Sequence, residues 1–165
     1  MTNVESYNGS SWSNETAVPY AIANGGTGGV ETAALVVGGV SPGPEGPEAG
    51  VFTALEYDGS SWTTTNNANV ARNRQSVGMA GTQTAMLVYG GGPNKQQVES
   101  YDGSSFTSDS TLASGHNGRG NHNATGYSTS AIYVGSPNPP GSAPGANTVE
   151  EYTAAAAATT TVTVS

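Results

Sequence analysis

The chain has no cysteine. Disulfides, thiolate metal sites and cysteine nucleophiles are therefore excluded. Basic residues are nearly as scarce, with Lys and Arg together numbering 4 against 12 Asp and Glu, for a formal net charge of −8. Phosphate backbones are bound by clustered Lys and Arg. Arg72, Arg74, Lys95 and Arg119 are dispersed along the chain, so nucleic acid is not an expected partner. No apolar run approaches the roughly 20 residues that cross a bilayer as a helix. Residues 1–7 have neither the basic nor the apolar segment of a secretory leader. Membrane insertion and a Sec-type leader are thus not expected. Helical periodicity is also missing, and the alanine run at 154–158 is too short to hold a helix unaided.

What is present is glycine, small polar residues and regularly placed aromatics, including 8 Tyr and 2 Trp. Low hydrophobicity signals disorder when charge is high and aromatics are few. Here charge is low and the aromatics recur in register with short Val/Leu runs, which argues for order. One phrase, Val4-Glu5-Ser6-Tyr7-Asn8-Gly9-Ser10-Ser11-Trp12, returns as Leu55-Glu56-Tyr57-Asp58-Gly59-Ser60-Ser61-Trp62. It returns again as Val98-Glu99-Ser100-Tyr101-Asp102-Gly103-Ser104-Ser105-Phe106, and in worn form as Val149-Glu150-Glu151-Tyr152. A second phrase alternates with it: Ala34-Leu35-Val36-Val37-Gly38-Gly39, Met86-Leu87-Val88-Tyr89-Gly90-Gly91 and Ala131-Ile132-Tyr133-Val134-Gly135-Ser136. Gly29, Gly81 and Gly126 precede these at one shared offset. Two phrases sharing a period of about 45 to 50 residues mark one supersecondary unit used several times.

One unit reads as four strands. Residues 76–80 form a short segment ahead of a turn at Gly81-Thr82. Residues 84–89 are a continuous apolar run, the pattern of a strand buried on both faces. The Gly90-Gly91 pair stops it and permits positive φ. Residues 97–101 alternate as a half-buried strand does. Asp102-Gly103 then signals a two-residue type I′ hairpin, and residues 105–108 return as an outer strand carrying the aromatic. Such a sheet cannot bury both faces alone and must stack on others.

The Gly-Gly doublet followed by a spaced Tyr and then an aromatic resembles the kelch motif. Gly38-Gly39 with Tyr57 and Trp62 fits it, as does Gly90-Gly91 with Tyr101 and Phe106. The Glu-x-Tyr-Asp-Gly-Ser-Ser-Trp phrase and the phrase around Gly81 to Gly91 are similar to kelch-like repeats of marine phage and cyanophage genomes. The Thr-rich, Val-alternating residues 159–165 are similar to the tails of such repeats. The resemblance implies an all-β chain of kelch-like β-propeller blades, about three and a half four-stranded antiparallel sheets in one domain over 1–165. Its parts are a half blade at 1–17 and blades at approximately 18–65, 66–110 and 111–165. The last unit departs from the pattern, since Gly135 lacks its partner glycine, the Trp is missing and Pro137, Pro139 and Pro140 fill the connection. Closed propellers take roughly four to eight blades, so a lone chain is expected to leave bare faces and edges, an association hazard. Copies are therefore expected to complete the propeller as a homo-oligomer.

Each candidate site has a simpler alternative. Kelch blades occur in galactose oxidase, whose copper site needs a cross-linked Tyr–Cys pair that a cysteine-free chain cannot form. Asp58-Gly59-Ser60-Ser61-Trp62 resembles the sialidase Asp-box with its glycine one place early, and the arginine cluster of that chemistry is absent. Asp58 and Asp102, each followed by glycine (Gly59, Gly103), are better read as side chains capping their own turns than as Ca²⁺ ligands. His116 and His122 flank Arg119 in a Gly/Asn-rich stretch without a third metal ligand. Tyr7, Tyr57, Tyr101 and Tyr152, with Trp12, Trp62 and Phe106, fit packing between blades better than a sugar-stacking ladder. No catalytic residue, metal or cofactor is therefore expected. Two non-repeating, proline-stiffened insertions are the candidate interaction loops, suited equally to binding a ligand and to packing against a neighbouring subunit. Residues 41–50 carry Pro42, Pro44, Glu45, Pro47 and Glu48, and residues 136–147 carry Pro137, Pro139 and Pro140.

The expected function is that of a non-enzymatic phage virion component, a decoration, appendage or fibre protein, bound to itself and to other virion proteins. The alternative is a secreted or cell-surface adhesion module binding glycans or a host-surface protein through blade loops. Either places the protein on a virion or outside a cell.

Overall fold

A computed structural model describes residues 2–39, 52–72, 77–91, 96–112, 123–134 and 149–154. Each repeat phrase becomes strands of one small antiparallel sheet. Sheet 1 is the hairpin β1 (Glu5–Tyr7) and β2 (Trp12–Asn14). Sheet 2 runs in order through β3 (Gly26–Val30), β4 (Ala33–Val37), β5 (Ala54–Tyr57) and β6 (Trp62–Thr64). Sheet 3 repeats this with β7 (Val77–Thr82), β8 (Ala85–Gly90), β9 (Val98–Tyr101) and β10 (Phe106–Ser108). Sheet 4 has β11 (Asn123–Tyr127), β12 (Ser130–Val134) and β13 (Val149–Thr153). The protein is therefore all-β, built of several small antiparallel sheets, with no helix among the described residues.

The apolar run at residues 84–89 forms β8, whose residues from Met86 onward are all buried. Period-2 alternation sends its side chains to opposite faces, and each face meets a different sheet. Met86 and Val88 join Leu35, Val37, Ala54, Tyr101 and Phe106 in a core between sheets 2 and 3. Leu87 and Tyr89 join Val98, Leu112, Ala131 and Tyr133 in a second core between sheets 3 and 4. The first strands β3, β7 and β11 stand side by side. Burying one fully exposed Leu or Val contributes about 1.5–3 kcal/mol, so these two cores dominate the folding energy.

Two turn expectations are corrected. The chain does not turn at Gly81-Thr82; both residues stay in β7, and the two-residue turn is Gln83-Thr84, with Thr82 paired to Ala85. Gly81 instead holds φ +129° inside the strand, where a Cβ would collide with the Ala85 carbonyl. The second correction concerns Asp102-Gly103. Tyr101 pairs with Phe106, so the loop has four residues, and only Gly103 within it has positive φ. A type I′ turn needs positive φ at both central residues, and Asp102 does not adopt it. The Gly-Gly doublets do hold positive φ at Gly38, Gly39, Gly90 and Gly91.

Candidate interaction faces

The four-residue turns are held by their first side chain. Asp58 Oδ1 accepts from the Ser60 and Ser61 amides at 2.8 and 2.7 Å. Asp102 Oδ1 does the same with Ser104 and Ser105, both at 2.8 Å, and Asn8 Oδ1 with Ser10 and Ser11, both at 3.0 Å. Serine hydroxyls add further donors. Amide bonds to the charged form favour it. They hold Asp58 well below the ordinary carboxylate range and Asp102 at about 2. The two aspartates thus act as turn caps.

A second set of bonds joins each sheet to the next. The residue three places after each outer aromatic faces the tyrosine of the following sheet. The Tyr57 hydroxyl donates to Glu15 Oε2 at 3.3 Å, and Tyr152 donates to Asp109 Oδ2 at 2.7 Å. The Tyr101 hydroxyl lies 2.7 Å from Thr65 Oγ1 and donates to Glu56 Oε1 at 2.9 Å. Burial first, then the carboxylate partners, push Tyr101 and Tyr152 up to about 12. One residue further along, Thr16 Oγ1 donates to the Ser60 carbonyl at 2.6 Å and Asn66 Nδ2 to the Ser104 carbonyl at 2.7 Å. Trp62 Nε1 donates to the Thr16 carbonyl at 2.8 Å. Three of the four repeat tyrosines are therefore inter-sheet residues with bonded hydroxyls.

Tyr7 and Trp12 are the exceptions. They stack in register at 5.1 Å between ring centroids, as Tyr57 and Trp62 do at 4.8 Å and Tyr101 and Phe106 at 4.5 Å. Yet Tyr7 is 50% and Trp12 67% exposed, whereas Tyr57, Tyr101 and Phe106 are buried. At the other end, Ile132 (43%), Val134 (48%) and Val149 (61%) are exposed. Their counterparts Leu35, Val37 and Ala54 are fully buried under sheet 3. A groove of about 400 Å³ opens beside β1, lined by Val4, Ser6 and Trp12 on one side and by Ala34, Tyr57 and Trp62 on the other. Glu5, Glu15 and Glu31 also line it.

The structure also holds a site that residue spacing does not reveal. Arg72, expected only as one of four dispersed cations, is fully buried with Glu99. Its Nη2 lies 2.7 Å from Glu99 Oε2, and Nη1 donates to the Gly90 carbonyl at 2.6 Å. Glu99 Oε1 accepts from the Asn69 amide at 2.7 Å, and the Arg72 carbonyl accepts from the Gly39 amide at 3.0 Å. The pair thus rivets the Gly-Gly ends of β4 and β8 together. Desolvation lowers the guanidinium pKa, and the bond to Glu99 opposes that shift.

Pro42, Pro44, Glu45, Pro47, Glu48, Pro137, Pro139, Pro140, His116, Arg119 and His122 lie outside the described residues. Among the described residues, no three His, Asp or Glu side chains are grouped to hold a metal, and no helix is long and apolar enough to cross a membrane. No protein-family model matches the chain, and no curated protein matches it.

Proposed function

We propose that the chain is a non-enzymatic, self-associating module, a partial kelch-like propeller that serves as a decoration, appendage or fibre component of a phage particle. The observation that carries this reading is the exposure of Tyr7 and Trp12 at one end and of Ile132, Val134 and Val149 at the other. Each is the counterpart of a side chain that the neighbouring sheet buries elsewhere in the chain. Exposed apolar faces of this kind mark association sites. The chemistry-bearing side chains support a structural role, because Asp58 and Asp102 are committed to turns and Glu15 and Asp109 to seams. The phage assignment draws its support from the repeat phrases. Multi-angle light scattering on the purified chain is expected to give a mass of two or more copies, and a clean monomer would overturn self-association. Antibody labelling of purified phage particles is expected to decorate them; failure to label would overturn the virion assignment.

One observation favours the alternative, a glycan-binding adhesion module. Trp12 and Trp62 line one groove together with three carboxylates, residue types suited to stacking on a sugar ring and accepting from its hydroxyls. A glycan-array signal lost in Trp12→Ala, in a chain that remains self-associated, would move the assignment to that reading.

A further inference from the structure

Sheets 2 and 3 each have four strands, but the strands are divided differently at the ends of the series. Among the described residues, sheet 1 holds only counterparts of the third and fourth strands, and sheet 4 only counterparts of the first, second and third. The inner edge of β1, which corresponds to the β5 edge paired with β4 and the β9 edge paired with β8, has no strand beside it among the described residues. It borders the groove instead. On the far side of that groove stand Ala34 and Tyr57, counterparts of the Met86 and Tyr101 that pack against Leu35 and Val37 between sheets 2 and 3. The groove therefore has the position of an inner strand carrying two apolar side chains toward sheet 2. Ile132 and Val134 on β12 are the counterparts of Leu35 and Val37 and stand exposed.

Sequence register matches the two ends. The third strand β9 reads Val98-Glu99-Ser100-Tyr101, and β1 with the residue before it reads Val4-Glu5-Ser6-Tyr7, residue for residue the same. The strand that now occupies the third place in sheet 4 reads Val149-Glu150-Glu151-Tyr152, without the Asp-Gly-Ser-Ser turn that joins third to fourth strands. By sequence, β1–β2 matches the third and fourth strands of a complete sheet more closely than β13 matches the third.

We propose that a second copy of this chain supplies β1–β2 to sheet 4 in place of β13, making one four-stranded sheet from β11–β12 of one copy and β1–β2 of the other. The inference rests on the self-association proposed above and names its contact. The register of β12 with β13 pairs Ala131 with Tyr152, Ile132 with Glu151 and Val134 with Val149. The exchanged strand sets Tyr7 opposite Ala131, Ser6 opposite Ile132 and Val4 opposite Val134. Ile132 and Val134 then fill the groove against sheet 2 of the second copy. Tyr7 takes over the bond that Tyr152 makes to Asp109. Trp12 Nε1 reaches the Ser110 carbonyl, as Trp62 Nε1 reaches the Thr16 carbonyl two sheets earlier. Replacing one strand by an equivalent one sacrifices little, the basis of exchange between identical chains. The contact is head to tail, so it repeats from copy to copy and ends where the rotation between copies closes a ring. The described residues of each copy contribute three sheets, the shared one counted once, and two copies place six in a ring, within the roughly four to eight of closed propellers.

Because the chain has no cysteine, single cysteines report position directly. Full-length Ser6→Cys and Ile132→Cys variants are mixed and treated with a short bismaleimide. The expected result is a covalent dimer formed in the mixture and in neither variant alone, with the Val4→Cys and Val134→Cys mixture as an independent pair should either variant misfold. The Ile132→Cys/Glu151→Cys double variant reports whether β13 stays beside β12. In Trp62→Phe, Trp12 is the sole tryptophan, and its emission is expected to shift to the blue and resist acrylamide as the copies associate. Association by light scattering with the 132–151 link dominant, no mixed dimer and unchanged Trp12 emission overturns the exchange and leaves self-association standing. A monomer at all concentrations overturns both.

Discussion

Arg72 Nη2 sits 2.7 Å from Glu99 Oε2, and both side chains are fully buried. Coulombic attraction between buried charges is largely offset by their desolvation, whereas one charge left alone is costly. Arg72→Met should therefore destabilise the protein by about 3–5 kcal/mol. The counterpart of Glu99 in sheet 2 is Leu55, since Glu99 pairs with Val88 as Leu55 pairs with Val36. Arg72→Met/Glu99→Leu should accordingly recover most of the loss in urea unfolding. A double variant as unstable as the single one would show that the Arg72 bonds to the Gly90 and Gln97 carbonyls matter more than the ion pair.

Acid should loosen the hairpin turns. Asp102 falls from an ordinary 3.8 to about 2 because its charged form accepts from the Ser105 and Ser104 amides, and Asp58 is lowered by the same kind of bonds. A carboxyl depressed on folding stabilises the fold above its unfolded value, and that contribution is lost as pH falls through the folded value. The window is therefore about pH 4 to 2. Asn8 performs the same capping without a charge, so Asp58→Asn/Asp102→Asn should fold with a flatter thermal midpoint across that window. An unchanged slope would place the acid sensitivity elsewhere.

The period of the sheets is legible because a tyrosine, a capping Asn or Asp and a glycine sit at the same hairpin in three copies, whose turns need Asn8, Asp58 and Asp102 as caps. Gly81 misleads because glycine serves two purposes: positive φ is expected at turns, yet here it lies inside β7. The seam acceptors escape a search for identical residues. Glu15, Thr65 and Asp109 share a place and a partner but not a residue type, two being carboxylates of different length and one a hydroxyl. The Arg72–Glu99 pair is hidden more deeply. One partner lies in a connection and the other in a strand 27 residues later, with no repeat of the pair to betray it. The exposed ends are partly legible, since the counting of strands anticipates bare faces. Which side chains they present follows only from the structure.

Alkali should open the seams. Tyr101 and Tyr152 rise from 10.0 to about 12, through burial first, then through bonds from their neutral hydroxyls to Glu56 and Asp109. A group whose proton is held more tightly in the fold stabilises below its unfolded value and loses that contribution as pH rises through the folded one. The protein should therefore hold to about pH 10 and lose stability between about 10 and 12. Tyr101→Phe removes the hydroxyl and its bonds to Thr65 and Glu56 while keeping the ring. It should be less stable at pH 8 by about 0.5–1.5 kcal/mol and lose less further stability toward pH 12. Thermal melts across that range, followed by circular dichroism, check both arms. A Phe variant with the same alkaline slope would assign the loss to other tyrosines.

The side-by-side placement of β3 and β7 depends on the missing side chain at Gly26. A Cβ there would stand 2.5 Å from Val77 Cγ1, 2.8 Å from Val77 Cβ and 2.9 Å from Met79 Sδ. Its φ is not positive, so the requirement is space and not backbone freedom. Gly26→Ala should therefore cost about 1–3 kcal/mol by overpacking, and Val77→Ala in the same chain should return part of it. Gly28 provides the contrast. A Cβ there meets Met86 Cε at 2.7 Å, the far end of a flexible side chain that can swing aside. Gly28→Ala should thus be the milder change, and the order of the two variants in chemical denaturation is the test. If Gly28→Ala proves the worse, Met86 is locked by its neighbours Leu35 and Val37, and the core between sheets 2 and 3 is less adaptable than its methionines imply.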